Sequence, residues 1–429
     1  MTDPIAAADP ASQVAATCDR IESVDADLHA FRPEPGRRAR LAAQARELSV
    51  RWPAVSGRPP LYGVPVGVKD VMHVDGLPTT AGSALPQGVL AGAEAGAVAR
   101  LRAAGALIAG KTVTTEFAMF APGPTRNPRD LAHTPGGSSS GSAAAVAAGL
   151  VPLALGTQTI ASVIRPAAYC GVAGYRPTHG RIPADGVIPF APSLDVVGCF
   201  ASVLAGLAVT AAVLCDDWRP AGAAPLPVLG IPVGPYLDRA TPVARSEFAR
   251  HVAALSARGY VIQEVPELAD MAEVEQHLVA ISRYEAAQVH AEWFARYADL
   301  YRPATAALIR QGQAFGPGEY ARAKAAAGVV ANRLADAAAS AGIDCWLTPA
   351  ATGVAPLGLA STGDPVMSIP WSLCGLPAIS LPAGTAAGLP VAVQVVAAAG
   401  ADELLLHWAA GLEQALQGQG QLDRPTTSC

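Results

Sequence analysis

Two long stretches without charge constrain what this chain can fold into. Residues 131–164 and residues 365–401 contain no Asp, Glu, Lys or Arg. A surface exposed to water needs charge, yet only 15% of the whole chain is charged and 51% is apolar. Because Pro, Gly, Ser and Thr interrupt both stretches, we predict that they form buried strands and loops around a site.

Length and charge narrow the choice of protein class. At 429 residues, the chain is long enough for two or three domains or for one large α/β domain. Its apolar content argues against bulk disorder. The net charge of −5 and the pI near 5.9 provide no basic field for nucleic acid or anionic lipid. We therefore expect no nucleic-acid or membrane partner, and a monomer and a homodimer stay open as alternatives.

The cysteines and the N-terminus indicate a cytoplasmic protein. The seven cysteines are odd in number and contain no CxxC pair, which favours free thiols in a reducing compartment over a disulfide framework or a zinc site. They are Cys18, Cys170, Cys199, Cys215, Cys345, Cys374 and Cys429. The first residues carry Asp3 where a secretory signal peptide needs positive charge.

Residues 196–215 are long enough and uncharged enough to raise the question of a membrane span. Small residues dominate the segment, and acidic rather than basic residues flank it, namely Asp195, Asp216 and Asp217. We therefore predict a buried helix packed against a sheet.

Apolar patterning predicts one α/β domain with a central twisted mixed sheet wrapped in helices. The N-terminal part predicts a helical segment at 11–50, a strand at 64–68 that ends at Lys69, a helix at 93–104 and a strand at 106–109. Further on, residues 343–347 and 378–395 have strand character, and 401–416 form an amphipathic closing helix. Residues 265–340 predict several amphipathic helices that line the substrate cleft.

The serine-rich loop at residues 134–142 admits three interpretations. A flexible linker is disfavoured because the loop lies in an apolar, uncharged part of the chain. A nucleophile elbow centred on Ser139 matches G-x-S-x-G, but that motif needs a strand before it and a late histidine. A turn precedes the loop instead, and the candidate histidine, His407, falls within the closing helix.

The third interpretation joins this loop to a second loop at residues 156–168, which contains Ser162. A serine is a weak nucleophile unless a base removes its proton, and no histidine is near either loop in the sequence. Lys69 follows an apolar strand, and burial lowers the pKa of a lysine enough for it to act as a base.

Ordered sequence blocks resemble the amidase signature family over roughly residues 25–415. The blocks are GVPVGVKD at 63–70, AGKT at 109–112, EFA at 116–118, NP at 127–128, PGGSSSGSAAAVAAG at 135–149, GYRPTHGR at 174–181, SLD at 193–195, GLPAISLP at 375–382 and GLPVAVQ at 388–394. So many blocks in the family's order make a chance match very improbable.

The resemblance implies a Ser-cisSer-Lys hydrolase that needs no metal and no cofactor. Lys69 falls on the base, Ser138 on the bridging serine after a cis peptide bond, and Ser162 on the nucleophile. The oxyanion hole would be formed by the backbone N–H groups of Thr159, Ile160, Ala161 and Ser162.

Two positions depart from the family's usual pattern. Ile160-Ala161 stands where Gly-Gly is usual, so the backbone either keeps ordinary angles or is rearranged. Gln158 stands where many members carry an aspartate, a form that resembles malonamidase and the biuret-pathway amidohydrolases. In malonamidase, the arginine at the position of Arg165 is associated with a substrate carboxylate; alternatively, Arg165 only braces the loop.

These features predict an amidohydrolase that cleaves a C–N bond of a small amide or carbamate, of urethane, aryl amide or ureido type. Phe117, Met119 and Phe120 are expected to bind the substrate with Arg165, and their apolar character favours a neutral substrate over an acidic one. The alternatives are an amidotransferase subunit, which passes ammonia within a tRNA-modifying complex, and a family member impaired by Ile160-Ala161.

Overall fold

A computed structural model describes residues 9–416 and contains one ten-stranded sheet. The strands are β1 Pro65–Lys69, β2 Leu107–Thr112, β3 Leu153–Gln158, β4 Ala173–Arg176, β5 Val196–Ala201, β6 Leu229–Pro232, β7 Ile262–Val265, β8 Cys345–Pro349, β9 Ala378–Ala386 and β10 Leu389–Ala397. Their order across the sheet is β2-β1-β3-β5-β4-β9-β10-β8-β6-β7.

The sheet is mixed, and its two pairing modes are segregated. Strands at the two ends pair in parallel, as in β1 with β2 and β3, and in β6 with β7 and β8. The middle strands, from β3 through β5, β4, β9 and β10 to β8, pair antiparallel. Most strands are buried along their whole length, which explains why they read as apolar runs rather than as an alternation.

Thirteen helices surround this sheet within residues 9–416. They are α1 Pro10–Leu28, α2 Arg37–Arg51, α3 Gly96–Ala103, α4 Ser140–Ala147, α5 Ile164–Cys170, α6 Leu204–Leu214, α7 Pro242–Ala257, α8 Met271–Val289, α9 Ala291–Tyr297, α10 Pro303–Gln313, α11 Pro317–Ala341, α12 Ile369–Leu373 and α13 Asp402–Leu416. The predicted single α/β domain with a mixed central sheet is confirmed.

Most predicted elements occur, with boundaries that differ by a few residues. The predicted N-terminal helical segment is two helices, α1 and α2, and residues 265–340 form α8 to α11. One expectation was wrong: residues 156–168 are not all loop, because β3 continues to Gln158 and α5 begins at Ile164. The true loop is therefore only residues 159–163, which carries Ser162.

Residues 196–215 form a strand and a helix instead of the single buried helix that we predicted. β5 takes the first six residues and α6 follows after a short connection. Serine and valine at 202–203 separate the two elements, and both elements pack into the core. In the described part of the chain, no helix is both long and apolar enough to cross a membrane.

Candidate active site

Lys69 ends strand β1 with its amine inside the protein. The side chain is fully buried, and its Nζ lies 2.7 Å from Ser138 Oγ and 2.7 Å from Thr157 Oγ1. The carbonyl oxygen of Thr157 lies 3.4 Å from the same nitrogen. Because β1 and β3 are parallel neighbours, the end of β1 and Thr157 near the end of β3 lie at the same edge of the sheet.

Burial lowers the pKa of the Lys69 amine to about 7, because removal from water disfavours the charged form. The negative charge of Asp195 acts in the opposite direction and raises this pKa. A lysine with a pKa near neutrality is unprotonated often enough to accept a proton.

Ser138 lies in the serine-rich loop after a cis peptide bond with Gly137. The loop is tied to the sheet, because Ser139 Oγ donates to the Thr157 carbonyl at 3.1 Å and Ser142 Oγ donates to the Leu155 carbonyl at 2.8 Å. The N–H of Thr115 donates to the Ser138 carbonyl at 3.2 Å. These bonds fix the Ser138 hydroxyl beside Lys69.

The other interpretations of this loop do not fit its surroundings. Ser139 is fully buried, and its hydroxyl is used by the backbone of β3, so it is not displayed as an elbow nucleophile is. His407 is exposed on α13. A solvated linker is also excluded, because the serines at 138–140 and 142 are all buried.

Ser162 lies in the short loop between β3 and α5 and is 8% exposed. Its carbonyl accepts from the N–H of Ser139 at 3.4 Å, so the two serine loops are in contact. Within the residues that the structure describes, the Ser162 hydroxyl makes no hydrogen bond, including none to Ser138. The structure therefore joins Lys69 to Ser138 directly and places the Ser162 backbone against Ser139, with the Ser162 hydroxyl unengaged among the described residues.

The predicted oxyanion donors are also unengaged. Across residues 9–416, no backbone or side-chain group accepts from the N–H groups of residues 159–162. Ile160 and Ala161 keep ordinary negative φ values, so the missing glycines do not force a left-handed backbone. Unpaired N–H groups next to a candidate nucleophile are what an oxyanion hole requires.

Comparison with known proteins identifies the family. Residues 12–406 match the Amidase family. The chain belongs to this family.

Relatives and solved structures agree with the assignment. The A chain of glutamyl-tRNA(Gln) amidotransferase from Synechococcus sp. (strain CC9311) is 32% identical over 450 residues, covering 92% of this chain and 91% of that relative. Its counterpart from Anaeromyxobacter sp. (strain K) is 49% identical over 191 residues, which cover 43% of this chain and only 38% of that relative. A solved crystal structure of an amidase superposes with a TM-score of 0.86 at 31% identity, covering 95% of this chain and 96% of that one.

In this chain, Arg165 braces the serine loops. Its guanidinium is buried and donates to the carbonyls of Gly363 at 2.6 Å and Gly137 at 2.7 Å, and to Thr362 Oγ1 at 2.9 Å. The Gly137 carbonyl belongs to the cis peptide bond before Ser138. Arg165 thus makes the bracing contacts. Burial lowers the pKa of its guanidinium, and the charges of Tyr169 and Asp364 raise that pKa.

Among the described residues, the Gln158 side chain makes no hydrogen bond to Arg165. Its Oε1 accepts from the N–H groups of Val163 at 2.8 Å and Ile164 at 3.0 Å, directly after Ser162. Its Nε2 donates to Ser372 Oγ at 3.0 Å. The neutral amide therefore shapes the loop that carries Ser162, since it can accept and donate at once whereas an ionised carboxylate only accepts.

The three predicted apolar contacts differ in their accessibility. Phe117 is buried and packs against His290, Trp293 and Tyr301, with ring centroids 4.6, 6.3 and 5.2 Å away. Met119 is also buried, whereas Phe120 is 43% exposed. Phe117 therefore belongs to an aromatic cluster, and Phe120 is the one of the three that presents its side chain to solvent.

Helices from the 265–340 region contact the segments around residues 116 and 193 through two buried carboxylates. Glu285 on α8 accepts from the N–H and hydroxyl of Ser193 and from Tyr320 on α11. Glu116 accepts from the N–H of Arg302 just before α10. These contacts hold the helices beside the segments that carry Phe117 and Asp195.

Sequence reasoning missed three residues of the site. Thr157 holds the Lys69 amine, and Asp195 accepts from Thr159 Oγ1 at 2.5 Å. Burial raises the pKa of Asp195 to about 6, while its hydrogen bonds from Thr159, Phe190 and Ala191 lower it. Ser372 contacts the nucleophile loop. The Ser-Leu-Asp block at 193–195 pointed to Asp195 in the sequence, whereas no sequence pattern pointed to Ser372.

No candidate metal centre accompanies the site in the part of the chain that the structure describes. Among residues 9–416, no group of three or more His, Cys, Asp and Glu side chains is arranged to hold a metal ion.

Proposed function

We propose that this chain is an amidohydrolase that cleaves a C–N bond of a small amide or carbamate, with Lys69 as base, Ser138 as bridging serine and Ser162 as nucleophile. One observation carries the proposal: a fully buried lysine amine lies 2.7 Å from Ser138 Oγ, and burial lowers its pKa to about 7. A buried lysine without an ion pair is costly to keep charged, so this arrangement favours a neutral base.

The proton follows one path in both directions. Neutral Lys69 takes the Ser138 proton while Ser138 takes the Ser162 proton, and Ser162 Oγ attacks the carbonyl carbon. The N–H groups of residues 159–162 stabilise the oxyanion. The proton returns to the leaving nitrogen, the C–N bond breaks, and the amine departs. Water then attacks the acyl-enzyme and passes its proton along the same path; the C–Oγ bond breaks, the acid leaves, and the proton returns to Ser162 Oγ.

The resting geometry requires one movement. Because the Ser162 hydroxyl makes no hydrogen bond among the described residues, it must turn toward Ser138 when the substrate binds. Rotation of a serine about one bond is fast, and catalytic hydrogen bonds often tighten only in the substrate complex.

An apolar acyl group is the substrate class that we favour, of urethane, aryl amide or ureido type. Ile160 is buried next to Ser162, and Arg165 already donates to three oxygens of the protein. These bonds use three of the five guanidinium N–H groups, and the buried Nε–H has no partner among the described residues, so our preference for a neutral substrate rests on the apolar Ile160. We further propose that the 265–340 helices line the cleft, with Phe120 at its exposed edge and Phe117 and Met119 behind it.

An amidotransferase subunit is the second candidate, and the relatives favour it. The Synechococcus relative that matches over most of both chains is named as part of such an amidotransferase. The acidic net charge and Gln158 favour the hydrolase with a small-molecule substrate instead. The six cysteines in the described region are all free, which supports a cytoplasmic location for either candidate.

Labelling of Ser162 and turnover by the isolated chain test these proposals. We expect an activated phosphonate to modify Ser162 and not Ser139, as peptide mass mapping would show. Ser162→Ala should lower amide hydrolysis by at least about 1000-fold, because the nucleophile is lost. The control Ser368→Ala removes a buried hydroxyl that contacts Gln394 instead of the site.

Each outcome selects one candidate. Labelling with turnover of neutral amides supports the hydrolase. Labelling without turnover by the isolated chain supports the amidotransferase component, and absence of labelling supports the impaired member expected from Ile160-Ala161. Equal turnover by Ser162→Ala and the parent contradicts the proposed mechanism.

A further inference from the structure

The peptide unit between Ile160 and Ala161 is held by a side chain from a distant part of the chain. Ser372, on the short helix α12, donates its hydroxyl to the Ile160 carbonyl at 2.5 Å. The same hydroxyl accepts from Gln158 Nε2 at 3.0 Å. Ser372 is fully buried, so no water competes for these bonds.

The next peptide unit is held as well. The Ala161 carbonyl accepts from the N–H of Arg165 at 3.0 Å, a bond of the first turn of α5. Gln158 Oε1 holds the N–H groups of Val163 and Ile164 on the far side of Ser162. The loop is therefore fixed both before and after the nucleophile.

Fixing these two carbonyls also aims two N–H groups. In a trans peptide unit the C=O and N–H bonds point in opposite directions. Since the Ile160 carbonyl points at Ser372, the Ala161 N–H points away from Ser372. By the same geometry, the Ser162 N–H points away from the first turn of α5. Among the residues described, neither N–H has an acceptor.

The backbone at residues 160 and 161 does not by itself fix the orientation of this peptide unit. Ile160 and Ala161 occupy ordinary φ values, a region in which each peptide unit can still rotate between alternative orientations. A peptide rotated about its neighbouring bonds would turn the Ala161 N–H out of the oxyanion hole. The Ser372 bond opposes that rotation.

We infer that Ser372 is a positioning residue for the oxyanion hole, and that it acts with Gln158 to aim the Ala161 N–H at the oxyanion formed on attack by Ser162. This inference rests on the proposed function, because it assigns Ser372 a part in that reaction. It touches neither substrate nor nucleophile, and it acts only through the peptide unit.

Kinetics of three variants test the inference. Ser372→Ala should lower kcat about 10- to 100-fold and leave KM within about twofold, because the bond matters most in the transition state; loss of a whole oxyanion donor costs about 100- to 1000-fold. Ser372→Thr restores a hydroxyl and should recover most of kcat. The matched control Ser368→Ala removes a buried serine hydroxyl four residues earlier and should keep the parent kcat.

A crystal structure of Ser372→Ala gives a readout that is independent of turnover. We expect the Ile160 carbonyl to leave its present direction, with a corresponding rotation of the Ala161 N–H. An unchanged peptide orientation, or a kcat within twofold of the parent, overturns the inference. If the parent itself shows no turnover, the proposed function fails, and the peptide orientation alone decides whether Ser372 holds the loop.

Discussion

At the scale of the residue, Lys69 derives its chemistry from its surroundings. Three oxygens surround the amine, from Ser138 and Thr157, and none carries a charge. Desolvation lowers the pKa, and Asp195 opposes this from a position beside Thr159. The balance leaves the pKa at about 7, where a lysine exchanges protons readily at physiological pH.

The pH dependence of kcat/KM follows from this balance. The neutral amine is the active form, so activity should rise with pH and level off above an apparent pKa of about 7. Measuring kcat/KM on a neutral amide between pH 5 and about 9.5 gives this ascending limb of the pH profile. A limb near the ordinary lysine value of about 10.4 would contradict the role of Lys69.

Asp195→Asn provides the control for that profile. The negative charge of Asp195 raises the Lys69 pKa, so its removal should move the limb to lower pH. Asparagine keeps an oxygen that can accept from Thr159 Oγ1. An unmoved limb would show that another group titrates.

At the scale of the element, helix α5 connects the two serine loops. It begins two residues after Ser162, and all seven of its residues are buried. Arg165 extends from its first turn to the Gly137 carbonyl of the other loop and to residues 362–363 before α12. A single side chain thereby joins three segments of the site.

Arg165→Ala should therefore harm both stability and turnover. It leaves the Gly137 and Gly363 carbonyls without this donor, and each buried acceptor left unpaired costs about 1–3 kcal/mol, so the free energy of unfolding should fall by about 2–6 kcal/mol. Denaturant unfolding measures the loss. We expect kcat to fall on neutral amides as well, because the Gly137 carbonyl next to Ser138 loses the contact that holds it.

A substrate panel separates this outcome from the carboxylate alternative. The panel compares malonamate-like acids with neutral aryl amides and carbamates, using the parent and Arg165→Ala. A parent that prefers the acids, together with a folded variant that loses only that preference, would show that Arg165 binds a substrate carboxylate.

At the scale of the whole molecule, one sheet and one main apolar core join distant parts of the chain. The ten strands form a continuous sheet from β2 to β7. The largest core cluster includes Leu61 near the start and Leu416 at the end of the described region. Packing across this core makes strands β1 to β5 and the helices from 265–340 depend on one another.

We expect a single cooperative unfolding transition. Calorimetry should give one endotherm, because no part of the described sheet has a separate core of comparable size. Two resolved transitions, with the 265–340 helices lost first, would indicate two independently folding units.

The sequence by itself determined the elements whose signal is local and the chemistry carried by contiguous blocks. The valine alternation before Lys69 predicted β1, and the family resemblance of the block around Ser138 predicted the hydroxyl that lies 2.7 Å from that amine. The sequence did not reveal where α5 begins. The Gln158 side chain ends the loop by accepting hydrogen bonds from the N–H groups of Val163 and Ile164, and no local sequence pattern indicates those bonds.

Only the tertiary structure decided which distant groups support the site. Ser372 is 212 residues from Ile160, and Arg165 is 198 residues from Gly363. Apolar periodicity indicates which face of an element is buried, but it carries no information about which polar group that face will contact. That choice depends on how strands and helices from opposite ends of the chain pack, because a buried donor must bond to whichever acceptor the packing brings within reach.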